Sequence, residues 1–137
     1  MWTFTVGQSG GLSQSLIDMV LDVLEDAADY WGRYIDFGIA TLDIEISFIS
    51  LGEDVLAQAG PTFIFDRVGP GGENVFQAGT ILELQSGTDP NGADPDIFIE
   101  VNLDTLLAGE FHIGGLDNAN IGFDEFDLFT VLMHEIG

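Results

Sequence analysis

Leu42-Asp43-Ile44-Glu45-Ile46-Ser47-Phe48-Ile49 alternates apolar and polar side chains with a period of two. That is the signature of a β-strand with one buried and one wet face. The elements on either side of it set the fold class. Upstream, from Ser13 to Gly32, the period becomes helical: Leu16, Val20, Val23, Leu24, Ala27 and Trp31 form an apolar stripe, with Asp18, Asp22, Glu25 and Asp29 on the opposite face. Like charges at these spacings oppose an isolated helix by a few tenths of a kcal/mol each, so burial of the apolar stripe must hold it. Before it, Trp2 to Val6 alternates as a first strand, ended by Gly7 to Gly11.

Downstream, strands are expected at Thr62–Phe65 and Thr80–Leu84, separated by the turn Gly69-Pro70-Gly71-Gly72. Asp96–Val101 reads as a further strand with Ile97, Ile99 and Val101 on one face and Phe98 on the other. Leu103–Ala108 suggests a helical turn, Phe111–Ile113 a short edge strand and Gly114–Gly122 a loop. A last helix is expected to start near Asp124, capped by Asp124 or Asp127. With no internal repeat and no linker, residues 1–137 read as one α+β unit, helices covering one face of a twisted mixed sheet.

The composition limits function sharply. There are 24 Asp and Glu against 2 Lys and Arg, giving a net charge of -22, while 46% of residues are hydrophobic. Such a chain can build a core but cannot neutralise phosphates, so nucleic acid and anionic membrane surfaces are excluded as partners. No apolar run approaches the roughly 18 residues of a membrane span. Zero cysteines remove thiol chemistry and disulfides. The acidity suits an environment rich in salt or calcium, which points outside the cell. The first residues lack a signal-peptide pattern, so an exported parent is expected to carry its signal upstream.

Chemistry concentrates in Phe129-Thr130-Val131-Leu132-Met133-His134-Glu135-Ile136-Gly137. An apolar helix here acquires an ionisable His-Glu pair. In the zinc signature His-Glu-x-x-His, two imidazoles at i and i+4 share a helix face and the Glu faces a metal-bound water. The second His would fall at the position after Gly137. Taken alone, His-Glu is a common dipeptide, and a solvated last turn capped by Gly137 is the simpler reading of it.

This string resembles the active-site helix of the metzincin zinc peptidases, especially the bacterial serralysin-like and matrixin-like members. The order of opening strand, long helix, alternating strand, the strand after Ala93-Asp94-Pro95 and final helix is similar to their upper subdomain. The resemblance implies an N-terminal part of a secreted zinc metalloendopeptidase catalytic domain: a sheet, a backing helix and the start of the active-site helix. It implies His134 as first zinc ligand and Glu135 as general base, with the other ligands and the Met-turn beyond Gly137. It further implies a monomer acting on protein or peptide substrates, and a 137-residue chain that is inert by itself. A reading of another class is a non-catalytic, acidic calcium-binding module of an exoprotein or adhesin.

Weaker signals accompany these. Asp89, Asn91, Asp94 and Asp96 place hard oxygens in a Gly/Pro loop, chemistry that calcium prefers, although position 6 of an EF-hand would hold Asp94 instead of Gly. An acidic turn explains the same residues. Glu110–Gly115 is a candidate for the rim strand that pairs with substrate in metzincins, with His112 a surface histidine. Arg33 and Arg67 are expected in local ion pairs. The glycine clusters match no phosphate-binding pattern, and no serine sits in a nucleophile motif.

Overall fold

The computed structural model describes residues 1–114 and 120–137. Its main sheet contains β1 (Trp2–Val6), β2 (Leu42–Ile49), β6 (Ile97–Asn102) and β3 (Ala57–Pro61), side by side in that order. β1, β2 and β6 run parallel, and β3 closes the order antiparallel to β6. The chain is therefore α+β with a mixed sheet, as the alternation at residues 42–49 implies. Parallel pairing of β1 and β2 requires a long crossover. Helix α1 (Gln14–Gly32) supplies it.

The register explains the core. Ile44 pairs with Ile97, Ile46 with Ile99 and Phe48 with Val101, so one sheet face is a continuous aliphatic layer. Helices α1 and α4 (Leu128–Ile136) cover it, and Val20, Leu24, Ala27, Leu128 and Leu132 are fully buried there. The α1 stripe is rotated slightly from the expected one. Ile17 and Ala28 are buried while Leu16 and Trp31 sit at its half-buried margin. The Ser13 side chain caps the helix, accepting from Leu16 N at 3.3 Å. The opposite sheet face carries Asp43, Glu45, Ser47 and Glu100, a polar surface lying over an aliphatic one.

The middle of the chain departs most from expectation. The Gly69–Gly72 turn joins β4 (Phe63–Val68) to β5 (Asn74–Ala78) in a separate antiparallel hairpin. Residues 80–84, expected as strand, belong to helix α2 (Gly79–Ser86). A short apolar run does not distinguish the two, and here Gly87, left-handed at φ 69°, ends a helix of good helix formers with its N–H on the Glu83 carbonyl. β3 has no sequence signal because Ala-Gln-Ala-Gly-Pro offers no alternation; an edge position tolerates its proline.

Asn102, 1% exposed, organises the turn after β6. It caps α3 (Leu103–Leu107) by accepting from Asp104 N and donates to the carbonyls of Gly52 and Val55 at 2.7 Å. β7 (Phe111–His112) pairs with β8 (Phe126–Asp127) in parallel. The loop expected at Gly114–Gly122 falls partly on residues 115–119, outside the described residues. Leu132→Ala removes a fully buried side chain between α1 and the sheet, and is expected to lower unfolding free energy by about 2–5 kcal/mol in chemical denaturation.

Candidate active site and acidic loop

Helix α4 begins where Asp127, not Asp124, caps it: the Asp127 carboxylate accepts from Thr130 N at 3.2 Å. Leu128 and Leu132 face the core and Ile136 continues that row half-buried. The same periodicity turns His134 outward. It is exposed, and its ring makes no hydrogen bond among the described residues. Glu135 is half-buried and lines a cleft of about 250 Å³ with Gly60 and Pro61 of β3 and Thr80 of α2.

Two aromatic contacts fix this last turn. The Trp31 indole of α1 donates to the Met133 carbonyl at 2.9 Å, immediately before His134. Tyr30 meets Phe129 edge-on at 6.4 Å. Trp31 is thus more than a core anchor, since it sets where His134 and Glu135 point. A Cβ on Gly137 would lie 2.2 Å from the Trp31 ring, so glycine permits this approach.

Catalytic zinc takes three protein ligands and keeps an open position. Residues 1–137 bring one imidazole and one adjacent carboxylate to the end of α4, and among the described residues no three His, Cys, Asp or Glu side chains converge. The donor types suit zinc, but the described residues do not hold a complete set.

Of the segment expected as a rim strand, Phe111 and His112 pair in the small β7–β8 sheet and Gly115 is outside the described residues; the edge strand that lines the cleft with Glu135 is β3. His112 is half-buried, with Nδ1 3.7 Å from Glu125. Arg67 pairs with Asp66 as expected for a local ion pair. Arg33 instead lies over the Tyr30 ring at 5.2 Å.

In the acidic loop the four oxygen-bearing residues separate. Asp89, exposed, accepts from Asn91 N and Gly92 N at 2.9 and 2.7 Å, a turn-forming role. Asp94 is exposed. Asp96, by contrast, is 1% exposed and accepts from Asp43 N at 2.9 Å. Beside it lies a residue absent from the sequence reading: Glu83 of α2, 3% exposed, accepting from Thr41 N at 2.8 Å. A glutamate within an apolar run carries no signal of burial, because only the tertiary fold turns it inward. Burial pushes both carboxyls above their ordinary values, and the charges of Asp43 and Asp89 push the same way, against the lowering effect of the Thr41 N–H on Glu83 and of the Asp43 N–H and the Asn91 side chain on Asp96.

Two outcomes are expected. Trp31→Phe keeps the ring but loses the bond to Met133, so amide exchange in the last turn of α4 rises and stability falls by about 1 kcal/mol. Glu83 has a folded pKa above its unfolded one, so its contribution to stability is full below the unfolded value and is lost as pH rises through the folded value. With chelator present, Glu83→Gln is therefore expected to melt above the parent protein at pH 8, the gap closing as pH falls toward 5. A gap independent of pH would contradict this.

Comparison with protein-family models, with curated proteins and with solved structures finds no match for this chain.

Proposed function

We propose that this chain forms the N-terminal part of the catalytic domain of a secreted, zinc-dependent endopeptidase of the metzincin kind. The observation that supports it is the end of α4, where His134 is exposed and Glu135 lines a cleft walled by the sheet's edge strand. In this reading His134 is the first zinc ligand, and two further imidazoles follow Gly137 at His-Glu-x-x-His-x-x-Gly-x-x-His spacing. Zinc, when bound there, supplies an activated water and a Lewis acid for the peptide carbonyl.

The chain's own contributions follow from placement. Glu135 accepts the proton of the attacking water and passes it to the leaving amine. β3, last in the sheet order, offers unpaired backbone groups along its outer edge, to which an extended peptide adds as a strand. Trp31 holds the helix turn in register. The net charge of -22 fits an exported monomer working in salt or calcium. A non-catalytic acidic calcium-binding module is the second reading, favoured by the buried Glu83–Asp96 pair.

The codons after Gly137 discriminate between them: His next, then Gly and His at the metzincin spacing, is expected, and a stop codon or any other residue there would sink the peptidase. The chain extended through those residues is expected to cleave casein in an EDTA-sensitive manner. Glu135→Gln should lower its kcat by about 10²–10⁴-fold with zinc still bound, whereas His134→Ala should lose the metal. The 137-residue form should show neither cleavage nor a zinc-dependent rise in Tm.

A further inference from the structure

Three side chains around α2 and the acidic loop share one unusual arrangement: each is anchored through one polar atom and leaves a buried oxygen bare. Glu83 is held by Thr41 N, and its Oε2 has no partner. Asp96 is held by Asp43 N, two residues further along the same segment, and its Oδ1 has no partner. Asn91 donates its Nδ2 to the Asp94 carbonyl, and its Oδ1 has none. Buried oxygens are almost always satisfied, and leaving an acidic one bare is costly. Three in one neighbourhood call for a common partner.

The geometry brings two of them to one space and sets the third on the helix face beside it. The position that a Cβ of Gly79 would occupy is 3.0 Å from Asn91 Oδ1 and 3.4 Å from Asp96 Oδ1. Glu83 lies four residues along α2 from Gly79, hence on the same helix face. Its carboxyl senses the charge of Asp96 directly. The Asn91 amide is the one side chain that favours the charged form of Asp96, and it leaves the Glu83 oxygen bare; what satisfies all three acceptors at once is a cation.

We propose that Glu83 Oε2, Asp96 Oδ1 and Asn91 Oδ1 bind a calcium ion in front of Gly79. All three donors are hard oxygens, two of them anionic, drawn from a helix, a loop and a strand start, which suits calcium's larger and less strict coordination better than magnesium's octahedron. Asp89 and Asp43 add negative charge nearby without supplying ligands. This site differs from the Asp89–Asp96 loop read as a ligand string, since Asp89 and Asp94 drop out and Glu83 enters. It does not depend on the peptidase reading. Ala78 and Thr80, flanking Gly79, line the cleft that contains Glu135, so the ion would brace one wall of that cleft.

The test uses the 137-residue chain stripped with EDTA, titrated with calcium chloride by calorimetry and followed by thermal melting at constant ionic strength. One saturable site and a Tm gain of about 5 °C or more at saturating calcium are expected. Glu83→Gln and Asp96→Asn, which keep their bonds to Thr41 and Asp43, should lose that gain. Gly79→Ala keeps every ligand but fills the space, and should weaken calcium binding at least tenfold. Asp22→Asn, exposed on α1, should keep the full gain. No saturable binding to the parent chain would overturn the proposal, as would an equal Tm gain with magnesium, or a calcium gain that survives in the Glu83, Asp96 and Gly79 variants. If a variant fails to fold, calorimetry on the parent chain still decides.

Discussion

Self-repulsion among carboxylates is the constraint under which this protein folds. With a net charge of -22 and two arginines, ion pairing cannot hold the chain together. Cohesion has to come from apolar burial, and the layout shows how the two are kept apart. The aliphatic faces of β2 and β6 meet α1 and α4, while the acids of α1 lie on its solvent side and those of β2 and β6 on the far sheet face. Each strand thus has one face for cohesion and one for repulsion, and the period-two pattern is the means of separating them.

Where that pattern is strong, the structure follows from the residues directly. α1, β2 and β6 are legible because each has a buried face whose apolar spacing must match its geometry, and β1, half-buried at most, by its period-two alternation. Between residues 55 and 85 the elements are short and half-exposed, so spacing carries little information. β3 is an edge strand of small residues, and α2 turns a glutamate inward where a short apolar run suggests strand. Both are fixed by what they pack against.

The candidate sites divide along the same line. His134 and Glu135 are visible in sequence because the chemistry is written in adjacent residues of one helix. The cation cluster is not, because Glu83, Asn91 and Asp96 come from a helix, a loop and a strand start that meet only after folding. Even so, the loop's oxygen-rich composition marks the right neighbourhood: Asn91 and Asp96 belong to it, and burial alone separates them from Asp89 and Asp94.

The bond from the Trp31 indole to the Met133 carbonyl has an optical consequence. Only two tryptophans are present, and the other, Trp2, packs against Phe37 at the start of β1. Replacing Trp2 by phenylalanine would leave a single fluorophore whose emission reports on the backbone next to His134. The helix turn could then be followed by intrinsic fluorescence as ions are added, with no label attached.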